Sequence, residues 1–551
     1  MEIIETDILV IGGGAAGCMA SIAAKNKNPE LDVTLLEKTC VKRGGSVGRG
    51  MDHLNYVVVP GIGTLREYID FFNVMTEKIL DQNLIYILGK ESFNLLKKLE
   101  NWGVIFPKDE KGNYLVRGKF FVEMRGDLKS ILFQKVLSHG VKVIERTMAT
   151  SLLTQGNRVV GATALNVRSG EFFVYKAKAT VLTAGSAARF GLPKTGYLFG
   201  TFDCPSCAGD GYSLAFRAGA ELMNMECTRK MFMIKDFAGP AYSFLHYGCH
   251  LINALGERFM ERYGGKEEPS YLTLWAMWRE MSEGRAPIYM RFSHLPDEVL
   301  ERIMNGMFTV ERPTIKEFFS SRGIDLKRDD VEITLSGPVL CGGHGFSGLV
   351  INEKAETSLV GLYAAGDVVA LGGCLPGALI FGEIAGRNAA KYASSVPMPE
   401  IDKKQIESER NRVFMPLESK GDIPPRLLEF KLRRIINEYI DSPKSERKLK
   451  TALYYISRFK KDLLRLKADD PHQLMRALEV HFILDCAEMS ALASLARQES
   501  RWGIFHYRID YPSRDDRNWQ KFLILKLDKK TKKIQILTKP APIKLKRGVL
   551  E

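Results

Sequence analysis

The run Ile8-Leu9-Val10-Ile11 is apolar at every position, the pattern of a strand buried on both faces. Three glycines end it, and small apolar residues then continue through AAGCMASIAAK (15–25) as a helix. Three later runs repeat the strand pattern: LDVTLLEK (31–38), KATVLTAG (178–185) and LVGLYAAGD (359–367). Each has an acid or a glycine at or next to its last residue. Together they predict an α/β fold built on a parallel sheet.

Beyond a polar, proline-containing stretch, SSVPMPEIDKKQIESER (394–410), the period changes. LLEFKLRRIINEYI (427–440), KLKTALYYISRFKKDLLRL (448–466) and PHQLMRALEVHFILDCAEMSALASLARQES (471–500) carry apolar residues at helical spacing. They predict a helical bundle whose aromatics are core. After Trp519 the alternation in FLILKLDKKTKKIQILTK (522–539) predicts a β-hairpin turned at DKKTKK.

Chemistry enters at the first turn. Gly12, Gly14 and Gly17 form G-x-G-x-x-G between strand and helix, with Ala15 and Ala16 inside it. The first glycine allows the turn, the second lets backbone approach a pyrophosphate, and the third lets helix pack on strand. Amides at the helix N-terminus then face the phosphates. The second strand ends in Glu37, twenty residues past Gly17, where a carboxylate accepts from a ribose hydroxyl, and Lys38 follows it. This is a dinucleotide site. Ala184 and Gly185 form a second glycine turn, and Gly366-Asp367 places an acid at a strand end, suited to ribityl hydroxyls. One site drawn from three distant segments fits FAD, with a domain inserted between them, better than a compact NAD domain. The expected division is 1–235 plus 335–395 for a Rossmann-like FAD-binding domain, 236–334 for an α+β capping domain, 400–522 for the helical domain and 523–551 for a basic C-terminal tail.

The 551 residues carry a formal charge of +14, much of it in 431–450 and 526–548. That excess suits an acidic partner or an anionic substrate. No aromatic–basic module accompanies it, so nucleic acid is not expected. The N-terminus runs directly into a strand without an export pattern, and no apolar run approaches the roughly 20 residues of a membrane span. A cytoplasmic location follows as an expectation, in keeping with nine scattered cysteines. The one close pair, Cys204-Pro-Ser-Cys207, has no second half to complete a metal site. It reads as structural, with a redox role as the alternative. No metal site is expected.

At these residues the chain resembles the flavoprotein subunits of the fumarate reductase and succinate dehydrogenase superfamily. EKTCVKRGGSVGRG (37–50), CAGDGYSLAFRAGAEL (207–222), NALGERFMERY (253–263) and ESRWGIFHYRIDYPSRDDRNWQKF (499–522) carry the likeness in order. Within the superfamily, NWGVIFPKDEKGNYLVRGK (101–119) and APIYM (286–290) are most similar to adenylylsulfate reductase alpha subunits. The resemblance implies flavin contacts from Gly45, Ser46, Asp210, Cys374 and Leu375. It also implies non-covalent FAD, because Gly44 stands where covalent members attach the flavin through histidine.

The resemblance further implies active-site roles for His344, Asn55 and Trp275. The proton-donating arginine of fumarate reductase falls, by ungapped spacing, at Trp275, and the substrate arginine of adenylylsulfate reductase at Met233. A flavin-side tryptophan falls at about Phe202. Arg229, Lys230, Lys235 and Arg279 lie near enough for a slip of a few residues to supply a cation. Gly342, Gly343 and Gly345 around His344 let backbone pass close to a planar ligand, and a ring titrating near neutrality can bind an anion or move a proton. The implied function is an FAD-dependent oxidoreductase subunit, exchanging electrons between a small anionic substrate and a ferredoxin-type iron–sulfur subunit in a hetero-oligomer. The rivals are a fumarate reductase or succinate dehydrogenase proper, and an FAD electron-transfer or scaffold subunit without substrate chemistry.

Overall fold

The computed structural model describes residues 2–193, 204–237, 239, 241–268, 270–306 and 314–546. Its principal sheet has seven strands: β1 (Glu2–Ile11), β2 (Val33–Leu36), β3 (Lys142–Ile144), β4 (Thr147–Gln155), β5 (Arg158–Asn166), β6 (Phe172–Leu182) and β7 (Leu362–Ala364). β1 lies between β2 and β6, parallel to both, and β3 extends the parallel set beyond β2. β6 carries the antiparallel pair β5–β4 along its first half and the parallel β7 along its last three residues. The central strands are apolar throughout because both faces are covered; Ile8, Leu9 and Val10 are fully buried.

Helix α1 (Ala15–Lys27) packs across α3 (Cys374–Ala393), and small residues set their separation. A Cβ on Gly386 would stand 2.0 Å from the Ala20 carbonyl oxygen, and one on Gly382 would stand 2.6 Å from that of Ala16. Any side chain there would force the helices apart. Between them in sequence, α2 (Asp210–Ala218) opens at Gly209, whose φ of +85° is left-handed.

A four-stranded antiparallel sheet, in the order Phe232–Ile234, Val331–Leu335, Ile288–Arg291 and His250–Ile252, forms the second layer, with its own apolar core around Phe244, Met277 and Met290. The helices Lys403–Glu418, Pro425–Ile435, Glu446–Asp462 and α4 (Pro471–Ala496) pack into the principal core. The hairpin turn at 528–533 lies between strands Lys521–Leu527 and Ile534–Pro540. This segment is not a detached tail. Leu222–Met223 pairs with Lys521–Leu527, which makes the hairpin the edge of a further sheet. Among the described residues no helix is long and apolar enough to cross a membrane.

The segment after α4 is held by buried charge. Glu499 accepts from Arg497 at 2.8 Å, from Arg501 at 2.7 and 3.0 Å, and from the Asp515 amide at 2.8 Å. All three side chains are nearly inaccessible, Arg497 and Glu499 at 0% exposure and Arg501 at 2%. Removing one member of such a cluster strands the others in low dielectric. We expect Glu499→Ala to lower stability by about 3–5 kcal/mol, read as a drop in the guanidinium midpoint at unchanged slope. A shift inside experimental error would show that the cluster does not hold this segment.

Candidate active site

β1 ends where Gly12 turns left-handed at φ +104°, a conformation that favours glycine. A Cβ there would lie 2.5 Å from the Thr183 carbonyl oxygen, and one on Gly17 would lie 1.9 Å from the Gly12 carbonyl oxygen. Gly14 differs. A Cβ at that position meets nothing within 4 Å, because it points into a cavity. Gly12, Gly14, Ala15 and Ala16 line that cavity, together with Glu37, Lys38, Gly45, Ser46, Ala184, Gly185, Asp210, Asp367, Cys374 and Leu375. Gly17 and Gly44 do not line it. Each is glycine because backbone fills the space of a side chain: the Cys40 carbonyl oxygen stands 2.6 Å from a Cβ on Gly44.

The acids and cations of this first cavity hold one another. Glu37 accepts from the Gly13 amide and the Thr39 amide, both at 2.8 Å, and from the Thr39 hydroxyl at 2.6 Å. Lys38 pairs with Asp210 at 2.6 Å and with Glu479 of α4 at 2.9 Å. Burial alone would raise the Glu479 carboxyl, but Arg189 and Lys38 hold it down at about 2. The open position at Gly14, the helix N-terminus behind it and the acid at the end of β2 fit the pyrophosphate and ribose of FAD. Gly44 offers no side chain for covalent attachment.

A second cavity of about 860 Å³ adjoins the first, and Ser46, Met51, His344 and Cys374 line both. Its wall is rich in rings, among them Tyr56, Phe71, Phe121, Tyr242, Tyr271 and Phe346. His344 is half-buried, and its Nδ1 lies 3.0 Å from the Cys374 sulfur. Cys374 opens α3 at φ +47°, a left-handed value that costs a non-glycine residue roughly 1–3 kcal/mol. Burial pushes its thiol up to about 12, against the pull of Arg229, so it stays protonated near neutrality. Asn55 lines the same cavity, and its Oδ1 is buried without a hydrogen-bond partner among the described residues. His246, also on this wall, is pushed down to about 4 by burial and by neighbouring His53 and Arg117, so it is neutral at pH 7.

The structure brings His344 and Asn55 together but not Trp275. That ring packs on Trp278 and Tyr507, at 4.9 and 4.5 Å between centroids, and lines neither cavity. Tyr271, one helical turn earlier, is the residue of this helix on the wall. The same offset of four residues separates Met233 from a residue on the wall. Met233 is wholly buried against Met231, Val339 and Cys341, whereas Arg229, 6% exposed, lines the cavity. Lys230 is paired with Asp441, Lys235 with Glu332 and Arg279 with Glu283. Of the four cations near enough for such a slip, Arg229 is the one that lines the cavity. Phe202 lies outside the described residues. Among the described residues no group of three or more His, Cys, Asp or Glu side chains could hold a metal ion.

Two families match the chain. The FAD binding domain spans residues 7–378, and the fumarate reductase flavoprotein C-terminal domain spans 429–547. An uncharacterized FAD-dependent oxidoreductase of Methanocaldococcus jannaschii is 29% identical, over 95% of this chain and 96% of its own. One of the subunits of the CoM/CoB fumarate reductase of Methanothermobacter marburgensis is 27% identical, over 95% and 97%. The adenylylsulfate reductase structure from Archaeoglobus fulgidus superposes with a TM-score of 0.91 at 27% identity, covering 99% of this chain and 97% of that one.

The glycines separate by environment, and so should their substitutions. Gly12→Ala meets the Thr183 carbonyl at a left-handed φ and should destabilise the protein itself. Gly14→Ala meets only the cavity and should fold normally while weakening FAD retention at least about tenfold, checked by flavin absorbance after gel filtration beside a thermal melt. Equal melting losses in both variants would refute the distinction.

Proposed function

This chain belongs to the FAD-binding flavoprotein family of fumarate and adenylylsulfate reductases, and from that premise we propose that it is the FAD-bearing subunit of a two-electron oxidoreductase whose anionic substrate is held in the second cavity. The observation that carries the reading is that His344 and Arg229 share the wall of a cavity which meets the nucleotide cavity at His344 and Cys374. FAD supplies the electron chemistry when bound.

The chain's residues do the rest. The Arg229 guanidinium, itself 6% exposed, neutralises the substrate anion at the ring-lined wall, where partial burial makes such a contact stronger than in bulk. With His344 Nδ1 engaged by the Cys374 sulfur, Nε2 is the nitrogen assigned to give or take the substrate proton. Asn55 offers its unpartnered buried carbonyl oxygen to a donor on the substrate. A volume of about 860 Å³ lies in the range that holds drug-sized ligands. The aromatic wall favours an anion with a planar or apolar body, and this reading sets adenylylsulfate-type substrates ahead of fumarate.

The other electron carrier would be a separate iron–sulfur protein of the complex. The support is the lack of a metal-holding cluster among the described residues and the exposed lysines of the C-terminal hairpin, Lys529, Lys530, Lys532 and Lys533, which suit an acidic surface.

Two variants test the assignment. His344→Ala should lower kcat about 100-fold or more, and Arg229→Ala should lower kcat/KM by about 100-fold, with flavin content unchanged in both. The assay follows oxidation or reduction of a viologen dye, with adenylylsulfate and fumarate compared as substrates. Unchanged turnover in His344→Ala would sink the catalytic reading and favour an electron-transfer scaffold. Faster turnover with fumarate would favour a fumarate reductase proper.

A further inference from the structure

Cys204 and Cys207 have no part in the proposed turnover, yet they stand at the flavin cavity. The Cys207 amide donates to the Cys204 carbonyl at 3.0 Å, a turn that sets the two side chains side by side. Both are buried, 9% and 8% exposed, and they pack together with Ala188 in a small cluster of their own. Cys207 lines the first cavity beside Ser206 and Gly185, and a Cβ on Gly185 would come within 3.1 Å of its sulfur. The Cys204 sulfur meets the Ser206 hydroxyl at 3.1 Å and accepts from the Gly45 amide. Gly45 precedes Ser46, which lines both cavities, so the pair lies close to where they join.

The surroundings also favour a reactive sulfur. Burial pushes the thiols of Cys18, Cys227, Cys249, Cys374 and Cys486 up, as expected of inert core cysteines. Cys204 goes the other way. Hydrogen bonds from the Cys207 thiol, the Ser206 hydroxyl and amide, and the Gly45 amide overcome its burial and bring it down to about 6. A substantial thiolate fraction at neutral pH beside a second thiol is the arrangement that forms and opens disulfides readily.

We propose that Cys204 and Cys207 are a redox-active dithiol that exchanges an electron pair with FAD bound in the first cavity. As the Sγ–Sγ bond forms, the two thiols release two electrons and two protons, and oxidised FAD takes them up as FADH2. In the reverse direction FADH2 returns both, and the Sγ–Sγ bond opens. The protein then stores a second electron pair beside the flavin, ready for a two-electron substrate or a one-electron partner. The proposal rests on FAD occupying the first cavity and is independent of which substrate fills the second.

The test uses the full-length, FAD-loaded protein. Anaerobic titration with dithionite should consume about four electrons per FAD in the wild type and about two in the C204S/C207S double variant, since a disulfide accepts two. Alkylation after unfolding should find all nine thiols in the reduced protein and two fewer after ferricyanide oxidation. Peptide mass mapping should place the bridge between Cys204 and Cys207. Uptake of only two electrons with all thiols retained overturns the proposal, as does a bridge mapped to Cys341 and Cys374. If the double variant fails to fold, thiol counting and mapping on the wild type still decide. Flavin absorbance before titration reports FAD loading separately, so loss of the cofactor is not mistaken for loss of the dithiol.

Discussion

A Cβ on Gly343 would stand 1.8 Å from the Asp367 carboxylate oxygen, and one on Gly342 would stand 1.8 Å from the Val369 carbonyl oxygen. No side chain fits at either place. This contact between 341–345 and 366–369 is the constraint on which the site depends. It pins the chain where it returns from the second sheet layer to β7. His344 thereby reaches the shared wall of two cavities, and a Cβ on Gly345 would come within 3.5 Å of the Arg229 side chain. The flexibility glycine has in an unfolded chain is not what this run uses. It uses the missing side chain, and the result is a tight joint.

Charge ties the remote parts of the chain to that joint. Glu479 on α4 meets both Lys38, after β2, and Arg189, after β6, and Arg189 continues to Glu429 on the helix Pro425–Ile435. These groups are largely buried. A buried pair of this kind adds little net stability over apolar packing, but it penalises any arrangement that separates its members. Here it makes the helical region part of the nucleotide site, since Lys38 and Asp210 both line the cavity that α4 helps to neutralise.

The motifs legible in the sequence are those whose chemistry is local. A strand, a glycine turn and a helix occupy consecutive residues, so Gly12, Gly14 and Gly17 announce their roles, and so does Glu37 at the end of the next strand. The hairpin at 521–540 was legible from alternation and a lysine-rich turn, but its pairing with Leu222–Met223 was not. Trp275 and Met233 mark the limit of spacing. In each case the wall residue lies four positions earlier, at Tyr271 and Arg229. Ungapped spacing assumes loops of equal length, and a difference of four residues replaces a residue on the cavity wall by one that lines neither cavity.

By itself, then, the sequence determined the α/β architecture, the nucleotide turn and the presence of a histidine among glycines, because each follows from short-range sterics and periodicity. Only the tertiary structure decided that Arg229 lines the ring-walled cavity, that Lys38 answers to Asp210 and Glu479, and that Cys207 of the Cys204–Cys207 pair lines the nucleotide cavity. Those facts depend on distances between segments far apart in the chain. Burial and backbone contact set such distances, and no local pattern encodes them.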